Sequence, residues 1–148
     1  MTGPEVVSLP TDAVLDLRVR VLRRGTPYTH ANYPEDSLPD AVNFCIVHDG
    51  EPVATSTWFS KECPEMPGVP AFQLKGMAVD DSVKGTGLGA RLVAHGLAHA
   101  REKGARIAWA RARDSALYFY ERRGFRVVGD GFIDGPTAMP HHIVVIDL

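Results

Sequence analysis

Residues 79–92 read VDDSVKGTGLGARL, and this stretch decides how the rest of the chain is interpreted. Three glycines at alternate positions, Gly85, Gly87 and Gly89, stand just before an amphipathic segment that predicts a helix. Glycine costs a helix roughly 0.5–1 kcal/mol per position relative to alanine, so stability does not explain the pattern. Backbone N–H groups that no side chain covers, at the positive N-terminal end of a helix dipole, are instead typical of a phosphate-binding site.

Lys84, directly before the first glycine, would add a full positive charge to such a site. A glycine-rich turn without any ligand is one alternative. A dinucleotide site is another, because Gly85, Gly87 and Ala90 match the pattern GxGxxA. The intervening residues Asp80–Lys84 and the short chain that follows disfavour the dinucleotide interpretation. A P-loop is excluded, because no GK[ST] sequence follows the glycines.

The pattern of apolar residues predicts strands and helices in the order β-α-β-β-β-α-β-α-β-β. The predicted strands are 5–9, 41–48, 51–59, 71–79, 105–113, 125–130 and 141–148, and the predicted helices are 11–25, 88–104 and 114–124. Asp49-Gly50 predicts a tight hairpin between the second and third strands. This order predicts an α+β fold, or α/β sandwich, in which a mixed sheet of about six to seven strands is flanked by helices.

The fourth predicted strand contains a change of side-chain alternation. Phe72 and Leu74 share one parity, whereas Met77 and Val79 share the other. Because side chains alternate between the two faces of a strand, this slip at Lys75-Gly76 predicts a β-bulge.

Length and composition predict one globular domain, residues 1–148, with a formal net charge of −2. This weak acidity favours neither a nucleic acid nor a membrane as partner, and no apolar run is long enough to cross a bilayer. The first ten residues lack the pattern of a signal peptide, which predicts a cytoplasmic location. The two cysteines do not show the spacing of a zinc site or a disulfide framework. His95 and His99 have the i, i+4 spacing of paired metal ligands on a helix, but the sequence offers no third ligand, so we predict no metal and expect both side chains on a solvent-exposed face of the helix.

Two motifs together resemble those of the GNAT superfamily of acyl-CoA-dependent N-acyltransferases. The glycine stretch is similar to the family's pyrophosphate loop, Arg/Gln-x-x-Gly-x-Gly/Ala, at positions Lys84, Gly87 and Gly89. The sequence ARDSALYFYERRGF resembles the motif Asn-x-x-Ala-x-x-x-Tyr-x-x-x-Gly-Phe, carried by Ala116, Tyr120, Gly124 and Phe125. The motifs occur in the family's order and spacing and cover residues 72–128. The resemblance implies a mostly antiparallel, twisted sheet.

The chain departs from these motifs at two positions. Lys84 replaces Arg or Gln and keeps the charge. Arg113 replaces the Asn that contacts the cofactor arm in many members, so it either reaches a phosphate or is a solvated charge at the strand end.

The resemblance implies acetyl-CoA as cosubstrate, in a cleft between the strands that end in MAV and in WARAR. The implied cofactor-binding residues are Met77, Ala78, Val79, Lys84, Gly85, Thr86, Gly87, Leu88, Gly89, Ala90, Arg113, Ala116 and Tyr120. The arm of the cofactor would pair with the backbone of Met77 and Val79, and an N–H of Met77–Ala78 would hold the developing oxyanion. Tyr120 occupies the position of the proton donor to the departing thiolate.

The resemblance leaves the general base undefined, because Gln73 and Lys75 occupy the strand where many relatives have a glutamate. His141 and His142 are predicted just before the last strand, which borders the acceptor site in this family. A histidine titrates in the required range, so we predict His141 as a catalytic residue.

The acceptor site is predicted in the first helix and the loop after it. Tyr28, His30 and Tyr33 are the predicted substrate-binding residues, and with Glu35 and Asp36 they suit a cationic amine; a solvated loop is the alternative. The predicted acceptor is a primary amine of a small molecule, peptide or protein. A homodimer is common in the family. A non-catalytic acyl-CoA sensor is the alternative function.

Overall fold

The computed structural model describes residues 4–148; residues 1–3, part of the segment tested for a signal peptide, lie outside it. The elements follow the predicted order. They are β1 (Val7–Leu9), α1 (Leu15–Leu22), β2 (Val42–His48), β3 (Glu51–Ser60), β4 (Ala71–Val79), α2 (Leu88–Glu102), β5 (Ile107–Arg113), α3 (Leu117–Arg122), β6 (Arg126–Asp134) and β7 (Met139–Asp147). The strands form one sheet in the order β1-β2-β3-β4-β5-β7-β6, and the α+β prediction is confirmed.

The pairing between β4 and β5 is parallel, and all the other pairings within residues 4–148 are antiparallel. The two parallel strands pair from Ala71 opposite Ile107 to Leu74 opposite Ala110, and their remaining residues are not paired with each other. The sheet therefore opens between the C-terminal halves of β4 and β5. A dinucleotide-binding fold requires a largely parallel sheet, so that alternative is wrong.

The hairpin and the bulge are both present. Asp49 and Gly50 have φ values of 51° and 79°, as the predicted tight turn requires. In the β3–β4 pairing, Thr55 lies opposite Ala78 and Thr57 opposite Lys75, so β4 carries one extra residue. Gly76, with φ of +66°, lies in this bulge.

Helices cover both faces of the sheet. Helix α2 packs on the face that carries Trp58, where a Cβ on Gly96 would lie 1.9 Å from the indole ring. Helix α1 covers the opposite face, where its buried Arg18 contacts Thr57. Trp58 and Trp109 are fully buried, as expected of core aromatic residues.

Several element boundaries differ from the prediction. Residues 11–13 form a short 3₁₀ turn, and α1 begins at Leu15. Strand β6 extends to Asp134. Its pairing with β7 shifts register between Val128 and Phe132, so the strand continues beyond the residues at which the prediction ended it. The predicted solvated histidine face of α2 is partly wrong, since His95 and His99 both lie edge-on against the Phe44 ring, at centroid distances of 4.5 and 5.1 Å.

Candidate active site

A cavity of about 710 Å³ fills the opening between β4 and β5. Of the residues predicted from the sequence, it is lined on one side by Arg113, Ala116, Tyr120 and His141. The other side is formed by Tyr28, His30, Tyr33, Met77 and Val79. The fold thus brings the predicted cofactor, catalytic and acceptor residues to one cavity, although they come from distant parts of the chain.

The glycine loop lies at a second, adjoining cavity of about 360 Å³. Gly85 and Gly87 have φ values of +76° and +87°, and no atom lies within 4 Å of a Cβ built at either position. A Cβ on Gly89 would lie 3.2 Å from the Phe119 ring. Backbone conformation therefore accounts for two glycines and close packing for the third, while the space above the first two is open to a ligand.

Two cations lie at this loop. Lys84 lines both cavities and has Asp81 as a partner at 3.4 Å. Arg123, at the end of α3, lines the second cavity, and the sequence did not point to it because it occupies a variable position of the second motif. The helical hydrogen bonds of α2 begin with the Arg91 amide, which donates to the Gly87 carbonyl at 3.1 Å. The amides that precede Arg91 in the first turn have no partner within the helix and can donate to a ligand.

Two predicted cofactor residues, Ala78 and Thr86, line neither cavity. The Ala78 side chain is buried in the core, and the Thr86 hydroxyl donates to the Val83 carbonyl. On β4, the Asp80 amide donates to the Val53 carbonyl of β3 at 2.8 Å. Because backbone groups alternate in direction along a strand, the polar groups of Val79 face the opening.

Tyr120 is the most buried of the candidate catalytic side chains. It is 7% exposed and packs edge-to-face against Phe119 and Phe125, at centroid distances of 5.2 and 5.4 Å. Burial raises the pKa of its hydroxyl well above the ordinary value. The phenol is protonated at neutral pH, as an ordinary tyrosine is, and Tyr120 lines the cavity in which its hydroxyl could act as a proton donor.

His141 and His142 lie inside β7, which begins at Met139, and they are opposite Arg113 and Ala112 of β5. The buried His141 ring stacks on Phe132, and its Nδ1 lies 2.6 Å from the Met139 carbonyl oxygen. A carbonyl only accepts, so Nδ1 carries the proton and Nε2 of the neutral ring holds the lone pair. His142 instead pairs with Asp114, at 2.6 Å, and does not line the cavity.

Glu35 and Asp36, two acidic residues of the 26–40 loop, are occupied by ion pairs. Arg18, which is fully buried, bonds both carboxylate oxygens of Asp36 at 2.8 and 2.9 Å. Glu35 accepts from Lys61 at 2.7 Å and from Lys75 at 3.0 Å. The prediction that these two carboxylates receive a cationic amine is therefore not supported, whereas most of the other residues of this loop are exposed to solvent, as the alternative expected.

Tyr33 connects this loop to the bulge of β4. A Cβ on Gly76 would lie 2.9 Å from the Tyr33 ring, and the Arg18 guanidinium lies 4.3 Å from the ring centroid. Burial raises the pKa of the Tyr33 hydroxyl, although the positive charges of Arg18, Arg23 and Arg113 partly oppose this effect. Tyr33 is thus a rigid wall of the cavity beside the bulge.

Arg113 crosses the opening towards α1. Its Nη2 donates to the carbonyl of Leu22, the last residue of that helix, at 2.7 Å. The side chain is half-buried, so the prediction of a solvated charge at the strand end is wrong. Burial, with the neighbouring charge of Arg23, lowers the pKa of this guanidinium below its ordinary value.

The arrangement agrees with the comparison to known proteins. Residues 12–125 match the model of the acetyltransferase (GNAT) family. The chain belongs to the GNAT family. It is 24% identical over 141 residues to the uncharacterized N-acetyltransferase YitI of Bacillus subtilis (strain 168), an alignment that covers 95% of this chain and 93% of the relative.

Solved structures share the fold of this GNAT chain. Escherichia coli ElaA has a TM-score of 0.78 at 18% identity, with 97% of this chain and 99% of ElaA covered. An acyl-CoA N-acyltransferase from Pseudomonas aeruginosa has a TM-score of 0.77 at 18% identity, with the same coverage. The family and its N-acetyltransferase relative make the chain an acyltransferase.

Two features are absent from residues 4–148. No helix there is long and apolar enough to span a membrane. The same residues contain no group of three or more histidine, cysteine, aspartate or glutamate side chains placed to hold a metal ion.

Proposed function

We propose that this GNAT protein transfers an acetyl group from acetyl-CoA to a primary amine, by direct attack within a ternary complex. The observation that carries the proposal is the cavity where β4 and β5 part, which connects an unpaired stretch of β4 backbone to the glycine loop. An unpaired strand edge binds an extended amide-containing chain by backbone hydrogen bonds. The open α2 N-terminus suits the diphosphate at the other end of such a molecule.

The residues of the two cavities fit CoA. The loop offers backbone amides from Leu88–Ala90 and the positive charges of Lys84 and Arg123. The β4 edge at Met77 and Val79 would bind the pantetheine arm, and Ala116 leaves room for it on the opposite wall. When bound, the cofactor supplies an activated thioester carbonyl and a thiolate leaving group.

The protein contributes a proton donor on one side of the reaction. Tyr120 stays protonated and lines the cavity, so its hydroxyl is the proposed proton donor to the departing sulfur. A backbone N–H at the bulge, assigned to Met77, would stabilise the oxyanion. One such donor is typically worth about 3 kcal/mol in the transition state.

The acceptor must lose a proton before it attacks. An amine with a pKa of about 10 is uncharged in roughly one molecule per thousand at pH 7. The Met139 carbonyl fixes the His141 tautomer, so that Nε2 holds the lone pair whenever the ring is neutral, and His141 lines the cavity. We therefore assign His141 as the general base, acting directly or through one water molecule.

The proposal is tested by measuring free-thiol release from acetyl-CoA in the presence of a panel of amines. We expect release that depends on both the enzyme and an amine. His141→Gln should lower kcat/KM about 100-fold, because the base is lost, whereas the adjacent His142→Gln should change it little. A protein that binds CoA but releases no thiol with any amine would instead be the non-catalytic sensor.

A further inference from the structure

We infer that the acceptor of this enzyme is a small amine that also carries a carboxylate, and that Arg23 and Arg113 bind this carboxylate. The inference rests on the proposed function, because it names the substrate class of the same cavity. The sequence predicts that acidic side chains bind a cationic acceptor, whereas this inference has basic side chains bind a negatively charged group of the acceptor.

The cavity lining is rich in cations. Its basic side chains are Arg23, Lys75, Lys84, Arg111 and Arg113, whereas Asp134 is the single acidic side chain among the described lining residues. Three of these cations have carboxylate partners, which are Glu35 for Lys75, Asp81 for Lys84 and Asp134 for Arg111. Within residues 4–148, Arg23 and Arg113 form no ion pair with any carboxylate.

These two guanidinium groups are held in place by backbone carbonyls. Arg113 Nη2 donates to Leu22, and Arg23 Nε donates to His30 at 3.0 Å. Both side chains are half-buried, and their charges act on each other. Two neighbouring, partly desolvated cations without a counter-charge are unfavourable, and a carboxylate between them would relieve this. Guanidinium groups suit this role because their planar forks match a carboxylate.

The arginine pair lies at the reacting end of the cavity. Arg113 lies directly opposite His141 in the pairing of β5 with β7, and both arginines line the cavity together with Tyr33, which packs against Gly76 in the bulge. The diphosphate end has its own cations, Lys84 and Arg123, at the second cavity. The pair is therefore placed for an acceptor rather than for the phosphates of CoA.

Gln73 provides an independent sign of a polar ligand. It is 2% exposed and lines the cavity from β4, in the last part of the strand that still pairs with β5. Its Oε1 atom is buried and has no hydrogen-bond partner among the described residues. A buried oxygen that accepts no hydrogen bond destabilises the protein, and an N–H group of the amine substrate could donate the missing bond to Gln73 Oε1. A carboxylate at the arginines and an amine near Gln73 together describe an amino acid-like molecule.

The test compares L-amino acids with their carboxamides, which lack the carboxylate charge and whose amine is more easily deprotonated, so that amine reactivity alone would favour the carboxamide. With saturating acetyl-CoA, one amino acid should be the preferred substrate. For that amino acid we expect kcat/KM to be at least tenfold higher than for its carboxamide. Arg113→Gln and Arg23→Gln should raise KM for the acid at least tenfold and leave the carboxamide unaffected. Arg101→Gln, at an exposed position on α2, is the matched control and should behave as wild type.

CoA affinity, measured by calorimetry on the same variants, separates the possible outcomes. Unchanged CoA affinity together with a raised KM for the acid supports the inference. Equal use of acids and carboxamides overturns it, and so does a loss of CoA affinity in the arginine variants, which would make the pair a cofactor site. The inference is also overturned if amino acids are neither turned over nor able to raise the melting temperature of the CoA-bound protein. Failure of the wild-type protein to bind CoA contradicts the proposed function itself.

Discussion

At the scale of single residues, the protein places a proton donor and a proton acceptor in the lining of one cavity. Tyr120 is protonated at neutral pH, as an ordinary tyrosine is, and burial raises its pKa further, while the Met139 carbonyl fixes the tautomer of His141. Each property follows from a local contact rather than from a charged network. The two side chains are therefore suited to transfer protons without large rearrangements of the site.

Tyr120→Phe tests the donor assignment. Removal of the hydroxyl should lower kcat about 100-fold, because the thiolate then leaves without a proton. Affinity for CoA should change little, because the ring and its packing remain. Tyr118→Phe is the matched control, since Tyr118 lies on the same helix but is 69% exposed. Equal turnover by wild type and Tyr120→Phe would remove the assignment.

The candidate site residues differ in how far the sequence could reveal them. Tyr120 and Ala116 were found because they hold defined positions of one motif, with Ala116 directly before α3 and Tyr120 within it. Arg23 lies outside both motifs, Arg123 occupies a variable position of the second, and Gln73 was noted only as a residue unsuited to be the base, so the cavity lining is what reveals their possible contacts. Their roles depend on which side chains lack partners after folding, and this cannot be read from local sequence.

At the scale of elements, short-range patterns predicted the turns and the bulge. The hairpin at Asp49-Gly50 and the extra residue of β4 both follow from backbone preferences over a few residues. The loop of residues 26–40 was predicted, but its ion pairs were not, because they depend on distant partners. Asp36 accepts from Arg18 in α1, and Glu35 accepts from Lys75 in β4, 40 positions along the chain. Glu35 and Asp36 therefore stabilise the loop and are not available to a ligand.

The Glu35 ion pairs predict a pH dependence of stability. Burial opposes ionisation, but the ammonium groups of Lys61 and Lys75 lower the pKa of this carboxyl to about 2. A carboxyl whose pKa is depressed in the folded state stabilises the protein above its unfolded pKa. This contribution should be fully present above pH 4.5 and should be lost as the pH falls towards about 2.

Glu35→Gln isolates this contribution. At pH 7 we expect the free energy of unfolding to fall by about 1–2 kcal/mol, and the difference from wild type to shrink steadily below pH 4.5. Urea unfolding at several pH values measures both effects. Glu102→Gln, at an exposed site at the end of α2, is the control and should have no such pH dependence. A difference that is constant down to pH 2 would contradict the ion-pair explanation.

At the scale of the whole molecule, the site exists because two neighbouring strands separate. The strand order along the chain was predictable, but the insertion of β7 between β5 and β6 was not. Pairing partners far apart in sequence decide that order, and apolar patterns do not record them. The same topology places β4, α2 and α3 around one opening, where CoA is proposed to bind.

Calorimetric titration of the protein with CoA tests the central claim most directly. We expect one CoA bound per chain, and no binding to Gly87→Val, because the new side chain occupies the open space above the loop. Gly104→Val is the matched control: Gly104 has a similar φ of +91° and open surroundings at the other end of α2, so it should bind CoA normally. Absence of binding to the wild-type protein, or equal binding to Gly87→Val, would contradict the claim that a diphosphate binds at the glycine loop.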